Sequence, residues 1–168
     1  MKNLEEETRR ILKENHLFAK KNLGQNFLIN ENIIDKIISG ANVESQDLVI
    51  EIGPGLGSLT SELLKNAGRT VCVELDINMV NILENRFENN PKFELIHDDI
   101  LKVDLKKIIK EEKEKYNLKN AKVVANLPYY ITTPIIMKLL EERLDITSIT
   151  VMVQKEVARK TYSKAGHR

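Results

Sequence analysis

Short β-branched apolar runs alternate along the chain with segments whose apolar residues recur every three to four positions. That alternation predicts strands separated by amphipathic helices, the mark of an α/β protein built on a parallel sheet. Residues 3–15 read as a charged helix, followed by a polar loop over 16–28. Asn30 is placed to cap a helix running to Ser39, because Ile33, Ile34, Ile37 and Ile38 share one face. Strands are predicted over 47–52, 69–75, 92–97, 121–125 and 148–153. Helices are predicted over 58–67, over 77–87 with Asp76 as cap, and over 105–115. A further helix is expected to open with Thr133 as cap and Pro134 at its first position, and to run to about Arg143. Residues 154–168 read as a basic helical start with a frayed end. Short loops and right-handed crossovers then give an open, doubly wound, mostly parallel sheet.

The chain has 168 residues, 42% hydrophobic and 30% charged, which fits one soluble globular domain and argues against disorder. A chain of this size buries roughly 70% of its unfolded surface and needs no staples. No apolar run approaches the roughly 20 residues that span a bilayer. The first residues, MKNLEEETRR, hold no apolar stretch of a secretory leader, so a cytoplasmic setting is expected. The single cysteine, Cys72, excludes an internal disulfide framework and reads as a buried, inert thiol. His16, His97 and His167 are far apart, so no metal site is expected. The net charge of +1 says nothing about nucleic acid. Lys155, Arg159, Lys160, Lys164 and Arg168 outweigh Glu156 in the last residues, most simply as a solvated surface.

In a doubly wound sheet ligands bind beyond the carboxyl ends of the strands, so the residues after each strand carry the chemistry. The first strand leads into Gly53-Pro54-Gly55-Leu56-Gly57-Ser58. The spacing is G-x-G-x-G; a dinucleotide fingerprint would need glycine where Ser58 stands. Between strand and helix it favours a nucleoside-cofactor loop over a plain turn. Glu74 and Asp76 follow about 20 residues later, where an acid can accept from two ribose hydroxyls. Asp76 looks like a helix cap, whereas Glu74 ends a buried strand and needs a reason to be there. After the third strand, in His97-Asp98-Asp99-Ile100, an acid can accept from an adenine amine while a neighbouring N–H donates to the ring. An Asx-turn with solvated acids is an equal alternative. The fourth strand ends in Asn126-Leu127-Pro128-Tyr129-Tyr130, the most specific segment. Asn126 offers an amide oxygen, Pro128 removes a donor so that nearby carbonyls can point inward, and Tyr129 offers a flat face for a base.

LGQNFL (residues 23–28), EIGPGLGSLT (51–60), VELD (73–76), DDIL (98–101), NLPYYITTP (126–134) and QKEVA (154–158) together resemble the ribosomal RNA adenine N6-dimethyltransferases, most of all the bacterial small-subunit group. The resemblance implies a Rossmann-like class I methyltransferase fold, S-adenosyl-L-methionine as cofactor, no metal, and N6-dimethylation of two adjacent adenines of small-subunit (16S) RNA in an immature ribosomal subunit. It implies Asn26, Leu28, Gly53, Gly55, Glu74, Asp99, Ile100 and Asn126 against the cofactor, and Asn126, Leu127, Pro128 and Tyr129 around the target base. On this pattern residues 1–28 form a helix and cofactor-lid loop, 29–158 an incomplete methyltransferase domain, and 159–168 a basic tail outside the family pattern. The family's last strands and helical domain are expected to be missing, the protein is expected to be a monomer, and its activity on ribosomal substrate is expected to be impaired. Alternatives are a large-subunit adenine N6-methyltransferase of the macrolide-resistance type and a non-catalytic RNA-binding module. A nicotinamide oxidoreductase would use Glu74 but leave the NLPY turn unexplained.

Overall fold

The structure, a computed structural model, describes residues 4–17, 31–127 and 129–152, with the Tyr129 side chain outside that set. Helices α1 (Leu4–Glu14) and α2 (Glu31–Ala41) precede a regular alternation of β1 (Asp47–Ile52), α3 (Ser58–Asn66), β2 (Arg69–Glu74), α4 (Ile77–Phe87), β3 (Phe93–His97), α5 (Leu105–Tyr116), β4 (Asn120–Asn126), α6 (Thr132–Glu141) and β5 (Ser148–Met152). The strands form one sheet in the order β3-β2-β1-β4-β5, and every neighbouring pair is parallel. The expected open, doubly wound parallel sheet is therefore present. Its order reverses between β1 and β4, where such sheets open a crevice.

The strands in the middle are apolar without alternation because both faces are covered. Every position of β1 and β2 is buried. Leu48, Ile50, Ile52, Val71, Val73, Ala121, Val123 and Ala125 pack on one face against Leu105 and Ile109 of α5 and Ile135 and Leu139 of α6. Val49 and Val124 face the other way, onto Ile34 and Ile37 of α2 and Leu59 and Leu63 of α3. Removing one such leucine, for example Leu63→Ala, would cost about 2–5 kcal/mol through lost burial and the cavity left behind.

The bounds of β1 and α4 match the sequence pattern, and Asp76 caps α4 by accepting from Asn78 N at 2.8 Å. Most other boundaries shift by one or two residues: α1 spans Leu4–Glu14, α2 runs to Ala41 rather than Ser39, α3 ends at Asn66, β3 begins at Phe93 and α5 ends at Tyr116. The shifts in β2, β4 and α6 bear on the site. The second strand ends at Glu74, and Leu75 turns out into solvent. Strand β4 extends one residue beyond the expectation at each end, so Asn126 is its last residue. Helix α6 begins at Thr132 with Ile131 in the capping position, because a 3-10 turn over Tyr129–Ile131 feeds straight into it. Thr133 is thus not the cap, and Pro134 is the third helical residue, where a missing N–H still costs no helical bond. Asn30, the 18–28 part of the loop, Val153 and 154–168 lie outside the described residues.

Candidate functional site

The register levels the tips of the inner strands. Ile52 lies opposite both Val73 and Ala125, and Glu74 lies opposite His97. Gly53 continues the line by donating to Val73 O at 3.0 Å. The chain then turns through three left-handed glycines, Gly53 (φ +69), Gly55 (φ +59) and Gly57 (φ +89). Two of these positions exclude a side chain by contact as well as by φ. A Cβ on Gly53 would stand 3.1 Å from the Asn126 carbonyl oxygen, so the tips of β1 and β4 touch there. A Cβ on Gly57 would stand 2.6 Å from a ring carbon of Phe87, which holds the start of α3 against α4.

Glu74 joins the β2 tip to this loop. Its Oε2 accepts from Gly55 N at 3.1 Å and its Oε1 from Asp76 N at 3.2 Å. The side chain is 8% exposed. Burial pushes its pKa up, and the backbone N–H groups of Asp76 and Gly55 oppose that shift. A carboxylate at the rim, already aimed by two N–H groups, is a preorganised acceptor.

Sequence reasoning missed a second acid beneath it. Glu51 is 1% exposed and points to the α3 face, where it accepts from Thr60 Oγ1 at 2.6 Å and lies 3.6 Å from the Cys72 thiol. Burial raises its pKa to about 7 against the pull of Thr60 and Cys72, and the charge of Glu74 adds to the rise. Cys72 is buried as expected, and its thiol pKa is pushed well up by burial and by Glu51. The available signal was a charged residue inside Leu48-Val49-Ile50-Glu51-Ile52, a strand that otherwise reads as buried on both faces.

At the β3 tip the Asx-turn is realised. Asp98 Oδ1 accepts from Asp99 N at 2.7 Å, and Asp99 Oδ1 accepts from Leu101 N at 3.0 Å. Asp98 N donates to Glu74 O at 3.2 Å, so this tip is tied to β2. His97 is an exposed strand-end residue whose Nε2 lies 3.1 Å from Leu75 O. Ile100 is buried, whereas Leu75 and Leu101 on the adjacent tips are 63% and 45% exposed. Apolar side chains exposed around an acid-rich rim offer a face to a flat ring. Leu75 and Leu101 were not singled out from sequence, because only the end of β2 at Glu74 turns Leu75 outward.

Gly53, Gly55, Glu74 and Asn126 are therefore brought together at the crevice, with Asp99 and Ile100 on the next tip. Leu127 is buried and packs into the core cluster beneath α6, so only its backbone remains for the site. Asn26, Leu28, Pro128 and the Tyr129 side chain lie outside the described residues. Among the described residues no group of His, Cys, Asp or Glu is arranged to hold a metal, and no helix is long and apolar enough to cross a membrane.

A model of the ribosomal RNA adenine dimethylase family matches residues 17–168. The chain is similar to ribosomal RNA small subunit methyltransferase A of Alkaliphilus oremlandii, 46% identical over 95% of this chain and 54% of that protein. It is similar to the same-named protein of Clostridium perfringens, 49% identical over 91% of this chain and 52% of the relative. The chain thus spans about half the length of the curated relatives it matches. Among solved structures, a dimethyladenosine transferase from Plasmodium falciparum superposes with a TM-score of 0.63 at 32% identity, covering 80% of this chain and 46% of that one. The 23S rRNA methyltransferase ErmE superposes at 0.66 and 28% identity, covering 84% of this chain and 53% of that one.

Proposed function

Because the chain belongs to the ribosomal RNA adenine dimethylase family, we propose that its strand tips hold S-adenosylmethionine and that it serves N6-methylation of adenines in small-subunit ribosomal RNA, two adjacent ones in an immature subunit. The observation that carries this reading is the junction of Gly53, Asn126, Gly55 and Glu74. A turn of left-handed glycines, crowded at Gly53 by the Asn126 backbone carbonyl, meets a carboxylate aimed by Gly55 N at one switch point. These residues fit the cofactor. Glu74 is the acceptor for a pair of ribose hydroxyls, and the glycine loop lets a ligand approach backbone N–H groups at the start of α3. Asp99 Oδ1 is engaged in its turn, so Oδ2 is the oxygen to accept from an adenine amine. Leu75 and Leu101 offer the purine an apolar face.

Bound S-adenosylmethionine supplies an electrophilic methyl group on a sulfonium centre. The protein's task is then to present the adenine N6 along the line of that bond, a gain of positioning, on a base turned out of its RNA context. Asn126 Oδ1 and the Leu127 backbone carbonyl accept from the N6 hydrogens, which favours a pyramidal, more nucleophilic nitrogen. The family resemblance assigns the stacking of the target base to Tyr129, whose side chain lies outside the described residues.

Identity of 46% and 49% to small-subunit enzymes, against 28% to the large-subunit enzyme, favours the small-subunit substrate. Mapping methylated positions on both RNAs separates the two. The role of Asn126 is tested by Asn126→Ala in single-turnover methylation of small-subunit RNA. The barrier should rise by about 2.7–4 kcal/mol, as when one preorganised polar contact is removed. A rate near that of the unaltered chain removes Asn126 from the chemistry.

A further inference from the structure

Helix α1 precedes the strand–helix alternation, and no crossover requires it. Its docking nevertheless reaches the glycine loop. Ile11 packs with Leu56, Met79 and Ile82, and Leu12 and Leu17 lie against the same cluster. Leu56, between the left-handed Gly55 and Gly57, is thus gripped from behind by α1 and α4.

A polar joint stands beside that contact. Arg86 of α4 donates through Nη1 to the Leu56 carbonyl and through Nη2 to Glu7 Oε1 of α1, the latter at 3.0 Å. The two side chains are only 18% and 23% exposed. Burial lowers the Arg86 pKa and Glu7 opposes the shift. The guanidinium also lies over the Phe87 ring, 4.9 Å from its centroid, and Phe87 is the residue packed on Gly57. One cation therefore touches α1, α4 and the loop. The peptide joining Leu56 to Gly57 is planar, so fixing the Leu56 carbonyl fixes the direction of the Gly57 N–H. The Gly57 end of that peptide is held as well, by donation from Gly57 N to Pro54 O at 3.0 Å, so the Arg86 contact braces the turn from its carbonyl side.

We propose that Arg86 is a positioning residue that sets the glycine loop through the Leu56 carbonyl, and that Glu7 keeps it aimed, so that docking of α1 and cofactor affinity are coupled. The proposal rests on the cofactor reading above. Coupling is reciprocal: if α1 helps the loop bind, bound cofactor must hold α1 down by the same factor.

The test is calorimetric titration of the full chain with S-adenosylhomocysteine, together with amide hydrogen exchange over α1. Arg86→Ala should weaken binding about tenfold or more, the scale of a lost hydrogen bond to a charged group. Arg86→Lys should recover part of that loss, since an ammonium can serve the Leu56 carbonyl or Glu7 but lacks the fork to serve both. Glu7→Gln should weaken binding about threefold, below a full charge-assisted bond. Arg9→Gln, exposed on the same helix, should leave affinity unchanged. In the unaltered chain, S-adenosylhomocysteine should slow exchange over α1, and in Arg86→Ala that slowing should disappear. A lowered melting temperature with affinity unchanged in Arg86→Ala, Arg86→Lys and Glu7→Gln, or α1 exchange that ignores the ligand, overturns the proposal. If the unaltered chain itself does not bind S-adenosylhomocysteine, the cofactor reading fails and the proposal falls with it. Tight binding that Arg86→Ala and Arg86→Lys do not alter removes the clamp alone.

Discussion

The two ends of the sheet treat charge in opposite ways. At the amino end, buried charges are closed into pairs. Lys122 Nζ donates to Asp47 Oδ2 at 2.7 Å and to Asn42 O at 2.6 Å. Arg69 bonds Glu112 at 2.6 Å, Glu94 at 3.2 Å and Pro91 O at 2.9 Å, and stacks 4.1 Å from the Tyr116 ring centroid. At the carboxyl end two acids, Glu51 and Glu74, sit near each other with pKa values pushed up, beside a loop of left-handed glycines and exposed leucines. A fold optimised only for stability would not place like charges together there, and local conflict of this kind collects where a ligand is handled.

The largest expected effect is at the amino end. Lys122→Ala leaves Asp47 buried without its cation and should cost about 3–5 kcal/mol of stability in urea unfolding. Affinity for S-adenosylhomocysteine in the fraction that remains folded should not change. Weakened affinity at undiminished stability would erase the distinction between the two ends.

The next effect belongs to Glu51 and depends on pH. Its folded-state pKa is about 7 against an ordinary 4.5, so the folded protein keeps a proton that the unfolded chain gives up within that window. The sign follows: this contribution is fully present below about pH 4.5, is lost as pH rises toward 7, and amounts to roughly 3 kcal/mol. Glu74 shifts in the same direction and adds to the fall. Glu51→Gln keeps an acceptor for Thr60 and removes the charge, so its melting temperature should fall less between pH 5 and pH 8 than that of the unaltered chain. Identical pH profiles would place the titration elsewhere.

Much of this contrast was legible in the sequence, for physical reasons that differ by residue. A continuous apolar run and a period-3.6 pattern are both local, so β1 and α4 were readable to their ends, and Asp76 announced its cap. The spacing of Gly55 and Glu74 follows from one crossover, and the structure closes that pair with a hydrogen bond. The start of α6 was not readable, because Thr133-Pro134 has the chemistry of a helix start while the 3-10 turn just before it decides the boundary. Glu51 and Arg86 were missed because their partners are set by packing: Thr60 comes from the next helix, and Glu7 stands 79 residues before Arg86.

A smaller effect sharpens the carboxyl end. Glu74→Ala should weaken S-adenosylmethionine binding by about 1.5–3 kcal/mol, the scale of lost hydrogen bonds to a charged acceptor. Unchanged calorimetric affinity would take Glu74 out of the site.

The central claim is that four strand tips form one hollow for one cofactor, and amide chemical-shift mapping during titration with S-adenosylhomocysteine tests it most directly. The account predicts that Gly53, Gly55, Leu75, Leu101 and Leu127 shift together with a single dissociation constant, while Asp47, Arg69 and Lys122 stay still. Saturable binding whose shifts cluster at the amino end, or that leaves Gly53 and Gly55 unmoved, would contradict it.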